Sequence, residues 1–176
     1  MTSKQLGEYE LMKILEGYSD ISYVCTKGKT TVGVGFNMDQ ASAKIVWQEL
    51  GIPEDFYDVY NGITGVSEDT CYKLFNYYWD IAEKAVRTRC IAVDEVYDEM
   101  PEYKQFVLKD IVYNTGSIRN WYKVFKEQEP KKVLYQARRR QRDLDSRVAK
   151  IGKYYGLITS LEDAHNIGLT EAKYIR

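Results

Sequence analysis

Three reactive side chains stand at fixed spacing in the stretch EGYSDISYVCTKGKTTVGVGF, residues 16–36. Glu16 is followed after eight residues by Cys25, and Cys25 after five more by Thr31. Glu16 falls in the last turn of an expected helix, where the negative end of the helix dipole disfavours an ionised carboxylate. A carboxylic acid kept protonated can donate to a leaving oxygen, the task of the general acid in glycosidic bond cleavage. A lone Glu at a helix end is more often an ordinary solvated surface residue. A free thiol is mostly protonated at neutral pH, with a pKa of about 8.5, and the charges of Lys27 and Lys29 in the adjacent turn would lower that of Cys25.

The elements that must hold these groups are a helix and a hairpin. SKQLGEYELMKILEG repeats Leu6, Tyr9, Met12 or Lys13, and Leu15 at helical spacing, with Ser3 as the expected N-cap and Gly17 as the left-handed stop. ISYVCT and TTVGVGF then alternate with period two around Lys27-Gly28-Lys29-Thr30, which predicts an antiparallel hairpin. Alternation puts Ile21, Tyr23 and Cys25 on one face with Val24 on the other, and Thr31, Gly33 and Gly35 on one face with Val32, Val34 and Phe36 opposite. Cys25 and Thr31 can then face one cleft. A strand face bare of side chains at the glycines would let a polymeric substrate come close to the backbone, although an ordinary small hairpin has the same pattern. Asp20, four residues after Glu16, reads as a turn residue.

With these residues in place, the stretch resembles the active-site segment of the T-even phage lysozymes, glycoside hydrolase family twenty-four, whose pattern is Glu, then Asp or Cys, then Thr. The resemblance implies that Glu16 is the general acid, Cys25 the second catalytic position and Thr31 the hydroxyl that positions water or substrate; Tyr23 and Gly33-Val34-Gly35 also match. Gly35 is implied to border the substrate. Phe36 stands where the family's best-known member has a histidine, so any polar contact from that position is absent. Two mechanisms stay open: thiolate attack with retention, or a water held by Cys25 and Thr31 with inversion. The second is favoured, because Thr31 adds a hydroxyl suited to orienting water.

The chain has 176 residues, 44% hydrophobic and 14% aromatic, enough for the core of one domain, whether or not it divides into lobes. No run approaches the roughly 18 apolar residues that span a bilayer, and MTSKQLGEYE has no signal-peptide core, so synthesis is expected to end in the cytosol. Three cysteines, Cys25, Cys71 and Cys90, and one histidine, His165, lack metal-ligand spacing. Neither zinc nor a disulfide framework is expected, and His165 reads as a surface residue of a short helix. Net charge is −1, but Lys131 to Lys153 carries nine Lys or Arg against two Asp. A solvated helix face explains this run first, attraction to an anionic cell wall second and nucleic acid third.

Further along, Asp39 is expected to cap a helix through Leu50, with Gly51 and Pro53 ending it. Residues 53–66 predict a short helix and turns, and Ser67 opens a long helix with Leu74, Tyr77 or Tyr78, Ile81, Ala85 and Val86 on its buried face and Cys71 in the core. Another helix should start near Pro101 and stop before Gly116. Its end, Asp110-Ile-Val-Tyr-Asn-Thr-Gly116, is similar to the family's cleft-lining segment, which implies that Tyr113 and Asn114 contact sugar; an Asn-assisted helix end is the alternative. Ser117–Glu127, Pro130–Gln141 and Asp145–Tyr155 read as three further helices. In the family an arginine reaches back to the catalytic Glu, and Arg138, Arg139, Arg140 and Arg147 compete for that place. Ser160 is a possible cap in the C-terminal extension.

The expected fold is α+β and lysozyme-like: one domain, with a small lobe at about 1–60 holding the hairpin, a helical lobe at about 67–156, a cleft between them, and an extension over 157–176. The resemblance implies a muramidase cleaving the β-1,4 bond between N-acetylmuramic acid and N-acetylglucosamine without a cofactor. It would act on bacterial peptidoglycan as a phage endolysin or virion-associated lysozyme, monomeric and neither bound to nucleic acid nor inserted in a membrane. An endolysin of this kind would leave the host cytoplasm for the periplasm through a holin. The alternative is a catalytically inactive wall-binding or virion structural module on the same fold.

Overall fold

The computed structural model describes residues 2–138 and 145–158, and it is an α+β protein. The chain forms two compact units, Met1–Tyr78 and Trp79–Arg176, and the division falls inside a long helix.

In the first unit, α1 spans Ser3–Glu16. Its cap is Thr2 rather than Ser3: the Thr2 hydroxyl accepts from the Gln5 backbone N–H at 3.2 Å, and the Gln5 side chain accepts from the Thr2 N–H at 2.9 Å. The buried face is Glu8, Tyr9, Leu11 and Met12, whereas Leu6 is exposed. Gly17, at φ 84°, donates its N–H to Lys13 O and ends the helix directly after Glu16, as its lack of a Cβ permits.

The hairpin comprises β1 (Ser19–Val24) and β2 (Thr30–Gly33), with β3 (Phe36–Asn37) pairing antiparallel to β2 on its other side. TTVGVGF is therefore not one strand. Gly33 (φ 63°) and Gly35 (φ 82°) reverse the chain so that Phe36 faces Val32. Asp20 lies in β1 rather than in a turn, and its carbonyl accepts from Val66 N–H at 2.8 Å. A Cβ at Gly33 would meet Cys71 at 3.5 Å, so this bare position faces a helix and not a groove; Gly35 is exposed with open space around it.

Helices α2 (Ala43–Glu49) and α3 (Phe56–Tyr60) follow. Asp39 caps neither. Its carboxylate accepts from Thr30 N–H at 2.9 Å and Tyr60 hydroxyl at 2.7 Å, tying β2 to α3. Phe36 is buried with its ring 6.2 Å from Trp47 and 6.0 Å from Tyr78, which accounts for an apolar residue there. The long helix α4 runs Glu68–Ala92, opened by Ser67 and by Glu54, which accepts from Ser67 N–H at 2.8 Å. Cys71, Leu74, Phe75, Trp79, Ala82, Val86 and Cys90 form its buried stripe; Ile81 is 44% exposed, one position off that stripe.

The second unit contains α5 (Glu102–Thr115), α6 (Tyr122–Lys126), α7 (Pro130–Tyr135) and α8 (Asp145–Tyr154). Pro101 and the left-handed Gly116 bound α5 as expected. Ser117–Glu127 is a 3-10 turn, Arg119–Trp121, followed by α6, not one helix. Lys104 is buried and closes α6 by donating to the carbonyls of Phe125 at 2.6 Å and Glu127 at 2.8 Å. The basic stretch is not one solvated face. Arg138 is buried with its guanidinium 4.9 Å from the Tyr135 ring centre, and buried Arg147 forms an ion pair with buried Asp110, while Lys131, Lys150 and Lys153 are exposed. Arg139, Arg140, Arg142, Asp143, Ser160 and His165 lie outside the described residues.

Breaking a buried pair leaves one charge without its partner and costs about 3–5 kcal/mol. Arg147→Met is expected to destabilise by that order in urea unfolding, and the double change Arg147→Met with Asp110→Leu by clearly less. Equal losses in the single and double variants would contradict this account of the pair.

Candidate active site

Glu16 is held by the segment on either side of it. Lys13, one turn earlier, donates to Glu68 at 3.0 Å, and Tyr18, just before β1, donates to the other Glu68 oxygen at 2.5 Å. The Lys13 ammonium also stands 4.9 Å from the Tyr18 ring centre and 5.1 Å from that of Tyr9. The hydrogen bond from Tyr18 is the main cause that keeps the Glu68 carboxyl below its usual range, with the bond from Lys13 adding to it against the effect of burial. The first residue of α4 thus fixes the end of α1 and the entry to β1, and so the chain on both sides of Glu16.

Cys25 opens the hairpin turn. Gly28 N–H donates to Cys25 O at 2.8 Å, Cys25 N–H donates to Lys29 O at 2.9 Å, and Gly28 has φ 70°. This is a four-residue turn starting at Cys25 and completed by a left-handed glycine, a common short hairpin connection. Cys25 occupies the first turn position, where Asp, Asn or Ser ordinarily accepts from backbone N–H groups further on. The thiol is used in the same way. Its pKa is lowered, first by the backbone N–H of Lys29, then by that of Lys27, with a smaller contribution from the Thr31 hydroxyl and the Lys27 charge. The direction expected from the two lysines holds, but amide dipoles and not ammonium charges dominate it.

Thr31 is buried and donates its hydroxyl proton to Lys29 O at 3.0 Å. One carbonyl, that of Lys29, therefore positions both the Cys25 backbone and the Thr31 side chain. A hydroxyl has one proton. While that proton is on Lys29 O, Thr31 presents only acceptor lone pairs towards Cys25; to stabilise a thiolate it must turn the proton to sulfur.

Tyr23 was missed as a candidate in its own right. It pairs directly with Thr31 across the hairpin, two residues before Cys25, so Tyr23, Cys25 and Thr31 share a face. Its ionisation is opposed first by burial and then by the charges of Cys25 and Glu16. The phenol is thus within electrostatic reach of both, which links the helix-borne carboxyl to the hairpin-borne thiol.

In the second unit, Tyr113 packs edge-on against Trp79, with ring centres 5.7 Å apart. The Asn114 Nδ2 donates to Asp110 O at 3.1 Å and to an Asp110 carboxylate oxygen at 3.0 Å, the Asn-assisted helix end. Cys71 is buried, and burial pushes its thiol up to about 11; Cys90 is raised by burial as well. Among the described residues no group of three or more His, Cys, Asp or Glu is placed to hold a metal ion, and no helix is long and apolar enough to cross a membrane.

Because the thiolate is the reacting species, Cys25 is expected to be the fast site of iodoacetamide alkylation in the native protein, with Cys71 and Cys90 protected. Thr31→Val should slow alkylation of Cys25 severalfold at neutral pH, and Lys27→Ala by less. Peptide mass spectrometry reads each site, and an unchanged rate in Thr31→Val would show that the hydroxyl does not support the thiolate.

No protein-family model matches this chain, and no curated protein sequence matches it.

Proposed function

We propose that this protein is a peptidoglycan hydrolase, a muramidase of the T-even phage lysozyme type, acting as an endolysin or a virion-associated lysozyme. The observation that carries the reading is the placement of Cys25, Thr31 and Tyr23 on one hairpin face directly after the helix that ends at Glu16. The lysozyme-like reading of the fold is supported by a helix that ends on the acid, by the small antiparallel sheet that follows and by the helical second unit. Tyr113 and Asn114 as sugar-contacting residues, and Gly35 as a substrate neighbour, rest on the family resemblance alone.

In this reading Glu16 protonates the glycosidic oxygen as the bond to the anomeric carbon breaks. A water donates one hydrogen bond to the Thr31 lone pairs left by the bond to Lys29 O, and gives its proton to the Cys25 thiolate as its oxygen joins the anomeric carbon. The products leave Glu16 as carboxylate and Cys25 as thiol, and solvent restores both. Attack by water from the face opposite the leaving group inverts the anomeric centre. The turn favours this role for sulfur: it offers an anion two backbone N–H groups, as it would offer a carboxylate.

Glu16→Gln should abolish release of reducing ends from purified walls while circular dichroism stays native, since an amide is not an acid. Cys25→Asp should keep substantial activity, Cys25→Ala should lose most of it, and the first-formed anomer should be inverted by NMR. A folded and fully active Gln variant would remove Glu16 from the mechanism. A thioglycosyl adduct on Cys25, or a retained anomer, would replace water by direct attack of sulfur. Wild-type protein that binds walls but releases no reducing ends would be a wall-binding module.

A further inference from the structure

Most tyrosines of the first unit have their hydroxyls engaged. Tyr18 donates to Glu68, Tyr60 to Asp39 and Tyr72 to Asn76, while Tyr57 accepts from Lys44 and Tyr78 from Gln40. Among the described residues, no protein group accepts from or donates to the Tyr23 hydroxyl. Tyr23 is 38% exposed, directly opposite Thr31, and on the face that also carries Cys25. Burial first, and then the charges of Cys25 and Glu16, oppose loss of its proton, so the phenol is a neutral O–H donor throughout the physiological range. An aromatic ring half open to solvent offers an apolar surface to the C–H face of a sugar, with a donor at its edge. Glu16, Cys25 and Thr31 supply acid, base and water acceptor in the proposed reaction, but none of them is left to hold the sugar itself.

Resting on the muramidase reading, we infer that Tyr23 is a substrate-positioning residue, its ring packing against the sugar at the scissile bond and its hydroxyl donating to a hydroxyl or acetamido oxygen of that sugar. The phenol then binds substrate in the ground state as well as the transition state, which places its effect in KM rather than kcat.

The test is Tyr23→Phe, which removes only the hydroxyl. With purified walls, kcat/KM is expected to fall roughly three- to tenfold, the loss of one neutral hydrogen bond, mainly through KM. With tri-N-acetylglucosamine as probe, the concentration that half-protects Cys25 from iodoacetamide should rise by a similar factor. The melting temperature and the rate of Cys25 alkylation without sugar should stay at wild-type values, a result that a purely structural role would not give. Unchanged kcat/KM and unchanged protection would overturn the inference while leaving a wild-type muramidase activity standing. So would a fall in kcat/KM accompanied by altered alkylation in the absence of sugar, because the hydroxyl would then act through Cys25. Wild-type protein inactive on walls would overturn the functional reading and this inference together.

Discussion

The carboxylate of Glu68 is the constraint on which the geometry around Glu16 depends. It sits in the first turn of α4, where the positive end of the helix dipole favours an anion, and binds Lys13 at one end of the segment and Tyr18 at the other. Burial opposes the charge on Lys13, and its bonds to Glu68 and Glu10 more than restore it. The two phenols near this knot, Tyr9 and Tyr18, are kept neutral by burial first and by Glu68 next, and Tyr18 is the one that donates to it. A Glu at the end of a helix would otherwise fray with the last turn. Here the chain is clamped three residues before it and two residues after it.

The hairpin solves a different problem, how to give a thiol the environment of a carboxylate. Placing Cys25 at the first position of the turn lets the backbone N–H groups of Lys29 and then Lys27 lower the pKa of its thiol, and the left-handed Gly28 lets the chain return in register with β1. Lys29 O then accepts from the Cys25 backbone and from the Thr31 hydroxyl. The reactive pair is therefore set by main-chain geometry, which is insensitive to the identity of the two lysines.

Much of this was legible in the sequence, because the signals were local. Gly17, Gly51, Pro101 and Gly116 bound their helices by conformations that few other residues adopt so readily, and the alternation that predicts Cys25 and Thr31 on one face is the hairpin's. What was not legible depended on long-range partners. Asp39 has the composition of a helix cap, yet Tyr60, distant in sequence, offers it a better donor. Gly33 and Gly35 alternate as a strand would, but positive φ at both turns the chain back. Arg138 and Arg147 look like part of a solvated basic face until Tyr135 and Asp110 are seen beside them. Tyr23 matches the resembling segment in the sequence, but that its half-open phenol lies directly opposite Thr31 is visible only in the hairpin register.

Helix α5 is buried without a break from Lys104 to Val112, against α7 and the 3-10 turn at Gln136–Arg138 among its neighbours. An ordinary surface helix keeps one side wet, and its amide hydrogens escape through small local openings. α5 has no such side over those residues, and its polar members Lys104, Gln105, Lys109 and Asp110 are anchored to main-chain carbonyls, to Glu83 or to Arg147. Its backbone protons can leave only when the surrounding unit comes apart, so deuterium uptake along α5 measures the stability of that unit as a whole.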